Sequence, residues 1–261
     1  MPAEIARAVV RGVPETISSG ITTAELGEPD VERAREQHRS YVAALEECGL
    51  EAIMLEADER YPDSVFVEDT AVVTDRCAIV TNPGAEQRKG EVHEVERVLS
   101  GLYGDVERIT HPGTVDGGDV LQAGDRFFVG LSKRTNRKGA EQLSTILQGY
   151  GFVVSFVELR HFLHLKTGVA YLGGDDLVVA GELVEKDEFR GCDKIVVPAE
   201  EEYGANCIRI NDRVLMAAGY EGAKRAISER GYEVTELDMS EFRKLDGGLS
   251  CLSLRLPELD I

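Results

Sequence analysis

The strongest constraint on this chain is a pattern that recurs along it. Paired apolar runs joined by tight polar turns occupy residues 70–74 and 77–81, 119–122 and 126–131, 168–172 and 176–180, and 207–210 and 213–217. Each pair predicts a β-hairpin. After several of them the apolar period lengthens from two to that of a helix. Val92, Val95, Val98, Leu99 and Leu102 share one face of segment 88–102. Ala140, Leu143, Ile146 and Leu147 do so in 137–149, and Ala223, Ala226 and Ile227 in 220–230. A further strand-like stretch follows each helix, at 106–109, 152–157 and 232–237. The unit is therefore hairpin, helix, strand, and its hairpins begin near residues 69, 119, 168, 206 and 250. That spacing of roughly 38 to 50 residues falls in the range of propeller-like repeats. The fifth unit breaks off at the C-terminus. Strand 6–11, helix 30–47 and strand 51–55 are expected to complete it, tying the chain ends together and removing exposed sheet edges. No Pro/Ser-rich linker interrupts the pattern, so a single domain spanning 1–261 is expected.

Composition narrows the function. The 43% hydrophobic content suffices for one large core or two small ones. A formal charge of −19 argues against a nucleic-acid partner, because phosphate binding needs a basic surface, and favours a cationic small ligand. The N-terminal residues lack a signal-peptide pattern and no window approaches a membrane span, so a cytoplasmic protein without membrane association is expected. The five cysteines are odd in number and never form a CxxC pair, which suggests neither a disulfide framework nor a structural zinc site.

Residues able to do chemistry gather where hairpins begin. They are Glu68 and Asp69 in VFVED, Asp116 and Asp119 in VDGGDV, His164 in HLKTG, and Cys251 in DGGLSCLSLR. Singly they are ordinary. A lone cysteine is more often a buried hydrophobe, a lone histidine a satisfied core residue, and acidic pairs are more often turn formers, with Gly117 and Gly118 expected to supply left-handed backbone. A ring would bring them together around its axis. A thiolate nucleophile, a proton carrier and fixed carboxylates form a kit for attacking a guanidinium, whose planar N–H array matches paired carboxylates. Cys207 reads as core and His161 as an exposed neighbour of His164.

At these motifs the sequence closely resembles the dimethylarginine dimethylaminohydrolase family of guanidino-modifying penteins. The similar stretches are AVVRGVPET, YPDSVFVEDTAVV, TNPGAEQRKGEV, VDGGDVLQAGDRFFVGLSKRTNRKGAEQL, LHLKTGV, ANCIRIND and LDGGLSCLSLR, spread over nearly the whole chain. The resemblance implies an α/β fold, a five-bladed pentein ring of ββαβ repeats with pseudo-fivefold symmetry. It further implies that Cys251 is the nucleophile, that His164 is the general acid and base, and that Asp116 orients it. Asp69 and Asp116 would grip the guanidinium, with Glu68 in support, and Arg88 and Arg134 would hold the substrate carboxylate. Asp63 and backbone carbonyls including that of Leu245 would receive the α-amine. The family's lid residue falls on Ile21 or Thr22, Thr22 being counted among the substrate contacts. In this segment the small residues from Ser18 to Thr22 replace the hydrophobic gate often found in the family.

The implied reaction is hydrolysis of N-omega-methylated arginine, dimethylarginine or monomethylarginine, to citrulline and a methylamine through a thiouronium on Cys251. No cofactor and no metal are expected, the partner being a small guanidino substrate, with a homodimer as the default assembly. Arginine deiminase chemistry on free arginine is the nearest alternative, and the chain has no room for the helical insertion usual in that branch. Agmatine deiminase would leave Arg88 and Arg134 without a role. A non-catalytic pentein would not need Cys251, His164 and the carboxylates together.

Overall fold

The structure, a computed structural model, describes residues 4–259. In chain order its principal elements are β1 (Ile5–Arg11), α1 (Val31–Glu47), β2 (Glu51–Leu55), β3 (Ala71–Val73), β4 (Ala78–Val80), α2 (Val92–Tyr103) and β5 (Glu107–Arg108). They continue with β6 (Val120–Ala123), β7 (Arg126–Leu131), α3 (Arg137–Gly149), β8 (Val153–Glu158), β9 (Val169–Gly173), β10 (Asp176–Val179) and β11 (Asp193–Val196). The last are β12 (Ile208–Ile210), β13 (Arg213–Ala217), α4 (Glu221–Ser228), β14 (Glu233–Leu237) and β15 (Leu254–Pro257). The strands form three-stranded sheets on one plan: an antiparallel hairpin, then a crossover that lays a third strand parallel to the second. Helices α2, α3 and α4 make the crossovers of the sheets β3-β4-β5, β6-β7-β8 and β12-β13-β14. In the sheet β9-β10-β11 short 3-10 turns at Gly181–Leu183 and Asp187–Phe189 replace the helix, so this repeat departs from ββαβ.

The fifth sheet joins the two ends of the chain. β15 pairs antiparallel with β1 at Val9↔Leu254, β1 pairs parallel with β2 at Val9↔Ile53, and α1 is the crossover between them. Caps set the helix starts. The side chain of Asp30 accepts from Arg33 N at the head of α1, and that of Asn136 accepts from Gly139 N at the head of α3, satisfying backbone donors that lack partners at a helix N-terminus.

Strand alternation distributes the core. In β1, Ala8 and Val10 point into a cluster with Ile208, Ile210, Leu215 and Leu252, while Val9 points the other way, to Val67, Ala71, Leu99 and Leu254. In β3 and β4, Val72 and Ile79 pack with Val120, Phe127 and Leu143, whereas Ala71 and Ala78 face back toward Val9. Leu121 and Phe128 lie with Val169, Leu177 and Phe189, and Ala170 and Val178 with Val214, Met216 and Ile227. Each sheet thus feeds one face into each neighbouring wedge, as the period of two requires. The last wedge returns to the first sheet. In place of one large core or two small ones, the apolar residues are divided among five wedges. Among the described residues no helix is long and apolar enough to cross a membrane.

Candidate active site

Each innermost strand, β3, β6, β9, β12 and β15, is preceded by a short 3-10 turn. The turn Val67–Thr70 carries Glu68 and Asp69, Gly117–Asp119 follows Asp116, Leu165–Thr167 follows His164, Ala199–Ala205 ends at Asn206, and Ser250–Leu252 carries Cys251. The first turn packs on the last and on the second, and the second on the third. Asn206 closes the circuit. Its Nδ2 donates to Lys166 O at 2.9 Å and to Ser250 Oγ at 3.1 Å, and its Oδ1 accepts from Ser250 N at 3.0 Å. The repeat therefore delivers one site-lining turn per blade at the same end of the ring.

Close approach dictates the glycine pair of VDGGDV. A Cβ on Gly118 would lie 2.8 Å from His164 Nδ1 and 2.9 Å from Asp69 Oδ1, and one on Gly117 would lie 2.0 Å from Glu68 O. Neither residue has a positive φ among the glycines that do, so the left-handed backbone expected from the sequence is not their reason. They are absent of side chains because the site is built against them.

His164 is buried, and its Nε2 lies 3.0 Å from Asp116 Oδ2. Burial alone would lower the imidazole. The carboxylates of Asp69, Asp116 and Asp119 outweigh it and raise His164 to about 9, so the ring is cationic at neutral pH. Asp116 is fully buried, which would raise its carboxyl, yet His164, Arg88 and the N–H of Gly84 at 2.7 Å hold it below the ordinary carboxylate range. Cys251 is pushed up to about 12 by burial and by the negative charges of Glu68 and Asp69, so the free protein carries a thiol. The Gly248 N–H points to its Sγ at 3.4 Å.

The remaining expected residues surround this centre. Asp69 Oδ1 accepts from Gly118 N at 2.9 Å and its Oδ2 from Arg88 Nη1 at 2.5 Å. Arg88 is buried and also donates to both oxygens of Glu91 and to Phe66 O. The two residues expected to hold opposite ends of a substrate are thus paired with each other. Arg134 Nη1 stands 3.8 Å from Asp116 Oδ2 and is largely screened from water. Asp63 is buried, which raises its carboxyl despite Arg88, and it accepts from Ile21 N at 3.1 Å. Of the two positions expected to form the lid, Ile21 therefore lies against the residue expected to receive the α-amine. Thr22 is exposed and its hydroxyl donates to Lys244 O at 2.8 Å, beside buried Leu245. Glu68 does not face the cluster alone: Lys166 Nζ at 2.7 Å, Arg255 Nη2 at 2.6 Å and Ser250 Oγ at 2.8 Å occupy it, and the two cations overcome its burial to lower its carboxyl. Cys207 is buried in a wedge and His161 is exposed.

Asn206, Ser250, Lys166 and Arg255 were not singled out by sequence reasoning. The signal for Asn206 was available in its position, since it begins the fourth hairpin just as Asp69, His164 and Cys251 flank the starts of theirs.

Oxygen and nitrogen ligand atoms of Asp69, Asp116 and His164 lie within 4.8 Å of one another, close enough to share a metal ion. Each already faces a protein cation or N–H donor, and the set equally suits a planar cationic group bearing several N–H donors.

Comparison with known proteins decides the family. The profile described as N,N dimethylarginine dimethylhydrolase, eukaryotic, matches residues 23–213. The N(G),N(G)-dimethylarginine dimethylaminohydrolase of Pseudomonas aeruginosa is 49% identical over 248 residues, 95% of this chain and 98% of the relative. This chain belongs to the dimethylarginine dimethylaminohydrolase family. The Streptomyces coelicolor protein of the same name is 37% identical over 97% of this chain and 98% of its own length. A crystal structure of the P. aeruginosa enzyme, a Cys-to-Ser mutant complexed with citrulline, superposes with a TM-score of 0.95 at 47% identity, covering 97% of this chain and all of that one. The N-terminal domain of ArgZ, an arginine dihydrolase from cyanobacteria, shares the fold with a TM-score of 0.86 at 21% identity, covering 98% of each chain. The fold is thus the pentein fold of this hydrolase family, a mixed α/β arrangement of repeated small sheets.

Proposed function

We propose that the chain hydrolyses N-omega-methylated arginine to citrulline and dimethylamine or methylamine, using Cys251 as nucleophile. Besides the similarity to the P. aeruginosa enzyme, one observation carries this reading. A histidine kept cationic by three carboxylates shares a ring of turns with a half-buried thiol. Asp69 and Asp116 bind the substrate guanidinium, with Glu68 bracing the wall behind them. Arg134 receives the substrate carboxylate, joined by Arg88 as its partners rearrange. Asp63 and the backbone near Leu245 take the α-amine beneath a lid formed by Ile21 and Thr22.

The arriving cation lowers the thiol pKa of Cys251, which gives up its proton to water and so to solvent, His164 being already protonated. The thiolate attacks the central guanidinium carbon, and the C–N bond to the methylated nitrogen breaks as His164 delivers its proton to the departing amine. The thiouronium left on Cys251 is attacked by water, from which the now neutral His164 removes a proton. The C–S bond then breaks and citrulline leaves. No step calls for a cofactor. The whole ring acts as one catalytic domain, because its five turns each supply part of one site.

The test is citrulline release by the purified protein from asymmetric dimethylarginine, monomethylarginine and arginine, with Cys251→Ser as control. Turnover of the methylated substrates, abolished in the control, supports the proposal. Turnover of arginine alone moves the substrate to the deiminase alternative, and silence on all three points to a binding role.

A further inference from the structure

Asp119 makes no substrate contact in the reaction just described and enters it only through its charge on His164, although it is one of the best buried ionisable groups in the protein, at 0% exposure. Its two oxygens serve different segments. Oδ1 accepts from Leu165 N at 2.9 Å, the residue directly after His164. Oδ2 accepts from Ser132 Oγ at 2.6 Å. That hydroxyl oxygen in turn accepts from Arg134 N at 3.0 Å and from Thr135 N at 3.1 Å, so it organises the turn that presents Arg134. Thr135 Oγ1 accepts from Asp116 N at 3.1 Å, returning the chain of bonds to the residue that holds His164. The fold makes room for this carboxylate: a Cβ on Gly130 would lie 2.7 Å from Asp119 Oδ1.

We propose that Asp119 is a positioning residue for the reaction, one buried carboxylate that fixes the segment bearing His164 and the turn bearing Arg134 in a common frame. The inference rests on the functional reading above. It assigns to Asp119 the separation between the acid/base and the group that holds the far end of the substrate, a distance on which rate depends steeply. Its charge acts in the same direction. The groups around His164 are Asp69 from the turn Val67–Thr70, Asp116 and Asp119 flanking Gly117–Gly118, Arg134 beside Asp116, and Arg88 bound to Asp69. Lys166, two residues along, is turned to Glu68. Removing one of three anions from this low-dielectric setting favours the neutral imidazole.

Asparagine is the discriminating replacement because it is isosteric. Its oxygen can still accept from Leu165 N, but its amide donates toward Ser132 Oγ, which already receives two N–H groups, and leaves the serine proton without an acceptor. The experiment compares wild type, Asp119→Asn and Ser132→Ala in the full chain. His164 is titrated by imidazole NMR, its signal assigned from a His164→Asn spectrum, and kcat and KM for asymmetric dimethylarginine are measured from neutral to alkaline pH. In Asp119→Asn the His164 midpoint falls by about one unit or more. Its kcat falls at least about tenfold, and the alkaline limb of the rate profile moves down with the midpoint. Ser132→Ala cuts only the branch to Arg134, so KM rises about tenfold while the His164 midpoint stays where it is.

A loss of melting temperature in Asp119→Asn with the His164 midpoint, kcat and KM unchanged overturns the inference and leaves Asp119 a merely structural carboxylate. If Asp119→Asn does not fold, Ser132→Ala and Thr135→Val decide, and wild-type KM in both overturns it. Failure of the functional reading is separately visible: wild type then releases no citrulline from methylated arginine, and the NMR midpoints alone judge Asp119.

Discussion

Replacing Gly118 by alanine tests whether the site is assembled by close packing around a bare backbone. The added Cβ would sit 2.8 Å from His164 Nδ1, 2.9 Å from His164 Cγ and 2.9 Å from Asp69 Oδ1, against an ordinary contact beginning near 3.4 Å. Relief therefore requires the ring or the carboxylate to move by about half an ångström. Neither is free to do so cheaply. His164 is held by Asp116 at 3.0 Å, Asp69 by Arg88 at 2.5 Å, and the Gly118 N–H itself donates to Asp69 at 2.9 Å. Overpacking of this kind costs about 1–3 kcal/mol of stability. Catalysis suffers more, because a displacement of about 1 Å in a reacting geometry can cost on the order of a hundredfold in rate. The expected result for Gly118→Ala is a kcat for citrulline formation from asymmetric dimethylarginine reduced by about ten- to a hundredfold, with a folded ring by circular dichroism. A variant with wild-type kcat would refute the claim that His164 and Asp69 are fixed against this backbone.

Further outcomes follow from the same geometry. Asn206→Ala removes three hydrogen bonds that join the His164 and Cys251 turns, and should lower kcat about tenfold or more. Asn206→Asp should do no better, since a carboxylate cannot donate to Lys166 O, and an active Asp variant would show that the clamp is dispensable. His164 has a folded pKa of about 9 against about 6.5 when unfolded, so the folded state retains a proton that the unfolded chain gives up between those values. This contribution, on the order of 3 kcal/mol, is complete below about pH 6.5 and disappears as pH rises through about 9. Denaturant unfolding of wild type and His164→Asn should accordingly converge as pH rises through this window, and parallel curves would contradict a raised histidine. Phe127 is 1% exposed and meets Phe152 edge-on with ring centroids 5.0 Å apart, so Phe127→Ala should cost about 3–5 kcal/mol, read as a lower denaturation midpoint. An unchanged midpoint would mean that the wedge collapses around the cavity.

The sequence alone determined the order of the elements, because strand and helix periodicities are local. The hairpin starts expected near residues 69, 119, 168, 206 and 250 are observed with β3, β6, β9, β12 and β15 beginning at Ala71, Val120, Val169, Ile208 and Leu254. The completion of the last blade by the N-terminus was legible for the same reason: a hairpin strand at the C-terminus lacked its partners. The gathering of Asp69, Asp116, His164 and Cys251 was legible only through the repeat, which places one turn of each unit at the same end. Tertiary structure decided what each of those groups is. Burial and neighbouring charge, which no window of sequence contains, make His164 a cation and Cys251 a thiol, and bind Arg88 to Asp69. The division of the core into five wedges, the space reserved at Gly117 and Gly118, and the bonds made by Asn206 and Asp119 likewise depend on segments dozens of residues apart. Periodicity is a property of neighbours in the chain, whereas desolvation and close approach are properties of neighbours in space.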